Sequence, residues 1–208
     1  MKIMLNQEDV KIVENKIKDF ETNTGCELLV VVAKSSDSYP AASWRFGFYS
    51  ALIAIFIFSL YFEFHHSYYW PGIFLVLTPL CVWVGGFDSA KKWALNPLEV
   101  DRECYEKSIE CFHKFGTSKV EHKVSAMIMV SLLERKIMVL VDEKLKSQIT
   151  QEELDELVSI MRVHFKQGNM CLGFIKSIES FEQKILKDFG GKVSEYGPGE
   201  LKDEIIFI

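Results

Sequence analysis

Two long stretches without a charged residue constrain the fold of this chain more than any other feature. The first runs from Phe46 to Phe62 and the second from Trp70 to Phe87. About 17 helical residues extend roughly 25 Å, close to the ~30 Å hydrocarbon core of a bilayer. The Leu, Ile and Phe side chains of the first stretch together favour insertion by about 3–6 kcal/mol. We therefore predict a transmembrane helical hairpin over residues 46–87. The alternative is a buried hairpin in a large soluble core.

The residues that flank the two stretches indicate how the hairpin is oriented. Aromatic side chains typical of membrane–water interfaces stand near the ends of both stretches: Trp44, Tyr61, Tyr68, Tyr69, Trp70 and Trp93. The connecting loop contains no Lys or Arg, whereas basic residues flank the opposite ends: Lys34, Arg45, Lys91, Lys92 and Arg102. Because cytoplasmic loops carry an excess of Lys and Arg, we expect a two-pass protein with both termini in the cytoplasm.

Composition narrows the class of partner and the compartment. The 208 residues carry a net charge of −5 with dispersed basic residues, which argues against a nucleic-acid partner. The number of cysteines is odd and no Cys-x-x-Cys occurs, which argues against a disulfide framework and fits a reducing cytoplasm. Cys104 and Cys111 share one face of a predicted helix, with His113 nearby. Core packing explains them better than a metal site, because further converging ligands are missing.

Outside the hairpin, hydrophobic periodicity predicts helices and strands that alternate along the chain. Helices are predicted at 6–23, 98–115, 150–165 and 170–189, strands at 26–33, 124–132 and 136–142, and a docking segment or edge strand at the C-terminal residues. Asn6 and a Thr150–Glu153 capping box mark two helix starts.

A lone strand or two-stranded hairpin is marginal in water, so the strands on both sides of the hairpin are expected to share one sheet. The predicted fold class is α/β, a mixed sheet with helices on both faces, interrupted by a two-helix transmembrane hairpin. The predicted domain parts are 1–45 and 88–208, which together make one α/β domain, with the hairpin at 46–87 between them.

Short motifs along the chain resemble the TPM domain family. They lie in residues 21–28, at Tyr39, Ala42 and Arg45, in residues 131–137 and 141–142, at Gly168, Gly173 and Ile178, and in residues 200–203. The order of elements is similar to a bacterial branch that carries a helical hairpin inside the domain. The resemblance implies an α/β sandwich associated with the bacterial inner membrane. Some family members are described as phosphatase-like and others act as assembly or auxiliary factors, so no catalytic set carries over.

The sequence contains no Gly-rich phosphate loop, Gly-x-Ser-x-Gly or His-Glu-x-x-His motif outside the apolar stretches. Carboxylates at predicted strand ends form a candidate acidic cluster of Glu27, Glu134 and Asp142. Together they could hold a divalent cation through oxygen ligands; no other cofactor is indicated. Their ordinary roles are an edge charge for Glu27, an exposed turn residue for Glu134 and a loop cap for Asp142.

Two functions from different classes fit these observations. The first is a membrane-anchored interaction module that binds other membrane proteins and aids their assembly or quality control, without enzymatic activity. The alternative is a metal-dependent, phosphatase-like hydrolase that uses the three carboxylates. The chain could also form a homo-oligomer. A transport path built from several hairpins is disfavoured, because the two apolar stretches contain no charged residue.

Overall fold

The computed structural model describes residues 5–61, 69–116, 124–189 and 204–208. The chain divides into two compact units, which we call the sheet unit (residues 1–35 and 104–208) and the helical unit (residues 36–103). The described elements, in chain order, are α1 Gln7–Thr24, β1 Cys26–Ala33, α2 Pro40–Tyr61, α3 Tyr69–Gly85, α4 Asp88–Ala94, α5 Pro97–Cys111, a π-helical turn Phe112–Gly116, β2 Val124–Ser131, β3 Lys136–Val141, α6 Glu143–Lys146, α7 Gln151–Lys166, α8 Met170–Asp188 and β4 Ile206–Phe207.

Helix α1 begins and ends within one residue of its predicted bounds. Asn6 caps it: its Oδ1 accepts from the Asp9 amide at 2.7 Å, and the Asp9 carboxylate accepts in return from the Asn6 amide. The helix stops at Gly25, whose φ of 70° is the left-handed conformation that glycine adopts at low cost. The predicted Thr150–Glu153 capping box likewise opens α7. Both predicted caps are confirmed.

The strands form one sheet in the order β3-β2-β1-β4. β1 pairs in parallel with β2, from Cys26 opposite Val124 to Ala33 opposite Ser131. β3 returns antiparallel to β2, and the C-terminal β4 pairs in parallel with β1. The prediction that strands from both sides of the long apolar stretches share one sheet is therefore confirmed. Of the two alternatives for the C-terminal residues, the structure shows the edge strand.

Helices cover both faces of this mixed sheet. Alternate β1 residues Leu28, Val30 and Val32 point to a core shared with α1, α7 and α8. Within that core the rings of Phe20 and Phe181 stack at 5.4 Å between centroids. The other face, which includes Leu29, Val31, Met127 and Met129, packs against Cys111 and Phe112 at the end of α5. The mixed α/β class and the structural role of Cys111 are confirmed.

The helical unit consists mainly of α2 and α3, which pack against each other. The rings of Phe48 and Phe74 meet edge to face at 5.8 Å. At Gly47 the helices approach so closely that a Cβ atom would lie 2.3 Å from a methyl group of Val82. Pro79 lies inside α3, where Thr78 Oγ1 donates to the Phe74 carbonyl at 2.8 Å.

One helix in the described residues, α2, is long and apolar enough to cross a membrane. α3 meets the same criterion only together with α4, and the two helices are bent by 103° at the break between them. By length and composition, the described chain therefore offers one membrane span, or two if the bent pair counts as one span.

Some boundaries differ from the predicted ones. The helix predicted over 98–115 leaves α-helical geometry after Cys111 and continues as the π-helical turn. α4 and α6 are short helices that the periodicity did not indicate, because each has too few residues to show a repeat. Residues 62–68, which include most of the loop between the two apolar stretches, and the motif at 200–203 lie outside the described residues.

Candidate functional site

Two of the three candidate carboxylates lie at the amino end of β1. Glu27 is opposite Ser125 in the parallel register. Asp142 follows β3, and because β3 runs antiparallel its exit lies at this same end of the sheet. Asp142 Oδ2 accepts from the Ser125 amide at 3.0 Å, while Asp142 Oδ1 accepts from the Leu145 amide at 2.9 Å. Asp142 thus fastens β3 to β2 and caps α6, which is the loop-capping role considered for it.

Cys26 lies among acidic side chains at this end of the sheet. Burial raises the pKa of the Cys26 thiol well above its ordinary value, and the nearby Asp142, Glu21 and Glu27 raise it further. Glu21 is itself buried, and its Oε1 accepts from the Leu28 amide at 2.9 Å. Cys26 is therefore held as a neutral thiol, which is unsuited to nucleophilic chemistry.

Glu134 lies at the opposite end of the sheet. It follows β2, and its carboxylate accepts a hydrogen bond from the Ser131 hydroxyl. Ser131 is opposite Ala33, six positions along the strands from the pairing of Glu27 with Ser125, which is roughly 20 Å at about 3.3 Å per residue. The structure therefore does not bring Glu134 together with Glu27 and Asp142.

The separation of Glu134 from Glu27 and Asp142 follows from the directions of the paired strands. The sequence places a carboxylate at one end of each predicted strand, but only the pairing of the strands decides which ends meet. Across residues 5–61, 69–116, 124–189 and 204–208, no group of three or more His, Cys, Asp or Glu side chains is arranged to hold a metal ion. The divalent-cation site predicted from Glu27, Glu134 and Asp142 is not assembled there as one cluster.

A cavity of about 420 Å³ lies near the β2–β3 turn. Its walls combine apolar side chains with a polar hydroxyl and three cations: Val130, Leu132, Ile137, Phe165, Ser131, Arg135, Arg162 and Lys166. The cations come from two places in the chain, the turn after β2 and the last turns of α7. No sequence motif marks this cavity, because its cationic residues come close only after α7 packs beside β3.

A family model relates part of this chain to known proteins. Residues 95–184 match the family model of the TPM domain. These residues, 90 of the chain's 208, are similar to a TPM domain. The matched residues include β2, β3, α7 and most of α8, and the resemblance to this family that the sequence motifs indicate is confirmed.

One solved structure resembles this chain over its full length. It is the NMR structure of the BA42 protein from the psychrophilic bacterium Bizionia argentinensis, with a TM-score of 0.60 and 14% sequence identity. The alignment covers 100% of this chain and 98% of the BA42 chain. At that identity the likeness concerns the fold alone. Among curated proteins, none is significantly similar to this chain.

Proposed function

We propose that this protein is anchored in the bacterial inner membrane by the two long helices of its helical unit, with both termini and its TPM domain on the cytoplasmic side. There it binds other membrane proteins and aids their assembly or quality control. The observation that carries this proposal is the apolar surface of α2, which has no cover within the described residues.

Side chains on several sides of α2 are exposed. Among them, Ile53, Phe56 and Leu60 have 60%, 66% and 68% of their surface accessible. The 22 residues of α2 span about 33 Å at 1.5 Å per residue, sufficient for the hydrocarbon core. α3 presents a similar surface, with Leu75 and Val76 each more than 70% exposed. Lipid tails would satisfy such surfaces, whereas water disfavours each large apolar side chain by about 1.5–3 kcal/mol.

The short helix α4 fits the edge of a bilayer. It turns away from α3 by 103°, so if α3 crosses the membrane, α4 lies nearly parallel to the membrane plane. Its last turn carries Lys91 and Lys92, followed by Trp93, which is 89% exposed. Trp and Lys are side chains that interfacial helices use, with the ring at the headgroup level and the cations toward anionic lipids. We therefore interpret α3 as the second span and α4 as an interfacial helix.

The hydrolase alternative has less support. It requires Glu27, Glu134 and Asp142 to act on one cation, and these residues lie at two ends of the sheet. Asp142 also has both carboxylate oxygens engaged with backbone amides. An interaction role makes no demand on these carboxylates beyond the structural contacts that they make.

Membrane insertion and orientation are tested in cells that produce the full chain. Alkaline carbonate should leave the protein in the membrane pellet. A fluorescent protein fused after Ile208 should fluoresce, and an alkaline phosphatase fused after His66 should be active, because the two positions lie on opposite sides of the membrane. Release by carbonate, or the reverse pattern of reporter activity, would refute the anchor or its orientation.

Partner binding requires a separate test. A photo-crosslinking amino acid is introduced at exposed positions of the TPM domain, such as Ser159 and Arg162, in cells with native membranes. We expect crosslinks to one or a few membrane proteins at some positions and not at others. Crosslinks only to a second copy would replace the proposal with a homo-oligomer, and none at any position would contradict partner binding.

A further inference from the structure

Independently of how the protein meets a membrane, we propose that the cavity near the β2–β3 turn binds a small organic anion. The anion combines a phosphate or carboxylate group with an apolar body. The described residues that line the cavity all belong to the sheet unit, so the proposal does not rest on the membrane anchor.

Within the described residues, no acidic side chain compensates the positive charge at the cavity. Arg135, Arg162 and Lys166 all line it, and none of the three makes an ion pair or hydrogen bond with a described residue through its side chain. Two guanidinium groups suit an oxyanion in particular, because each can donate two parallel hydrogen bonds to a phosphate or carboxylate.

Two nearby features disfavour anion binding, but their negative charge is smaller than the positive charge of the three cations. The cavity lies beside the C-terminal end of α7, which carries about half a negative charge from its unsatisfied carbonyl groups. Glu134 lies on the same turn, but its carboxylate accepts from Ser131 and is absent from the cavity wall. Among the described residues of the wall, three full positive charges therefore face at most a partial negative charge.

The rest of the wall explains why the ligand should have an apolar body. Val130, Leu132, Ile137 and Phe165 contribute aliphatic and aromatic surface. The Phe165 ring is held in place, since it packs at 5.3 Å against Phe174 and directly over Gly173. A volume of about 420 Å³ falls within the usual range for small-molecule sites, about 300–1,000 Å³. Inorganic phosphate alone would leave this surface uncovered.

The backbone supports a specialised turn. Arg135 has a φ of 57°, a left-handed conformation that costs a non-glycine residue about 1–2 kcal/mol. Asn tolerates this conformation better than Arg does. Arg135→Asn should therefore remove a cation from the cavity while leaving the turn intact or more stable. This variant separates loss of binding from loss of folding.

The proposal is tested by calorimetric titration of the full chain in neutral phosphatidylcholine nanodiscs. The probes are hexyl phosphate, hexanoate, inorganic phosphate and hexanol. We expect hexyl phosphate to bind at least roughly tenfold more tightly than inorganic phosphate, and hexanol not to bind measurably. Arg162→Gln and Arg135→Asn should each weaken hexyl phosphate about tenfold or more, the usual effect of removing a charged hydrogen-bond donor.

The matched control is Lys144→Gln. It removes the same charge from an exposed residue of α6, at the other end of β3. It should leave the affinity within about twofold. Equal weakening by Lys144→Gln and Arg162→Gln, or unchanged binding in both cavity variants, would overturn the proposal, as would failure of the wild type to bind any anionic probe.

The same titration identifies the source of the anion. Nanodiscs with one-third phosphatidylglycerol supply a lipid phosphate at the membrane surface. If a lipid headgroup occupies the cavity, hexyl phosphate should bind several-fold more weakly there, and the difference should vanish in Arg162→Gln. Equal affinity in both nanodiscs would identify a soluble anion instead.

Discussion

Replacing Asp142 tests the structural role that its two hydrogen bonds indicate. Each of its two carboxylate oxygens accepts one backbone amide, Oδ1 from Leu145 at 2.9 Å and Oδ2 from Ser125 at 3.0 Å. Asn offers only one carbonyl oxygen, and its amide group would face the second N–H donor. Ala offers no acceptor. We therefore expect stability to fall in the order wild type, Asp142→Asn, Asp142→Ala.

The magnitude follows from the two contacts. A hydrogen bond to a charged group contributes about 1.5–3 kcal/mol. Asp142→Asn should lose about one such bond. Asp142→Ala should lose both and leave the amide of buried Ser125 without its side-chain acceptor. The Ser125 contact at about 1.5–3 kcal/mol and the α6 cap at about 0.5–2 kcal/mol give a total of about 2–5 kcal/mol. Partial exposure of Asp142 places both values toward the lower ends of these ranges.

The assay must report on the sheet unit, which contains none of the four tryptophans. Its buried thiols, Cys26, Cys104 and Cys111, supply the signal: a thiol reagent labels them only after unfolding. Labelling after equilibration in urea gives a midpoint, and a loss of 3 kcal/mol should lower it by about 1–3 M at typical slopes. Exposed Glu143→Gln is the control, expected within about ±0.5 kcal/mol. If Asp142→Ala unfolds at the same urea concentration as Glu143→Gln, the reasoning is wrong.

Three further outcomes are expected. Gly47→Ala should lower the thermal unfolding temperature in neutral detergent, because its Cβ would lie 2.6 Å from the facing backbone, whereas Gly72→Ala, with open space around it, should not. Gly173→Ala should displace the Phe165 ring, 2.6 Å from the new Cβ, and cost about 1–3 kcal/mol in the urea assay. The pKa of the Cys26 thiol is raised in the folded state above its ordinary value of 9.0. Above about pH 9 the thiol therefore ionises in the unfolded chain but not in the folded one, so the free energy of unfolding should fall as pH rises. Urea midpoints measured across this range should fall less in Cys26→Ala.

Local chemistry made the sheet unit predictable. Helix α1 is predicted by Asn6 at its start, glycine at its end and apolar residues at helical spacing, all of which act within one element. The unbroken apolar run of β1 indicates a strand buried on both faces, and β1 indeed lies between β2 and β4. The shared sheet followed from elementary energetics, since β1 could not be stable alone.

Pairing direction and long-range contacts lay beyond such reasoning. Glu27 and Glu134 both stand next to strands, but only the parallel pairing of β1 with β2 shows that they lie at opposite ends. Arg135 and Arg162 are separated by an entire helix and strand in sequence, so no spacing connects them to one cavity. Sites formed by several elements depend on topology, which periodicity does not contain.

The contrast between α1 and α2 bears on the membrane anchor. α1 buries one face, with Val13, Ile17 and Phe20 inside, and exposes charged residues on the other, as a helix between a protein core and water must. α2 has no such division. Only 17% of its most apolar 18-residue segment is buried, and large apolar side chains are exposed along its length. A helix that is apolar on all sides requires an apolar surrounding, either lipid or another chain. Another chain would have to enclose α2 and α3 on nearly all sides, and alkaline carbonate would then release the complex, whereas lipid would retain it.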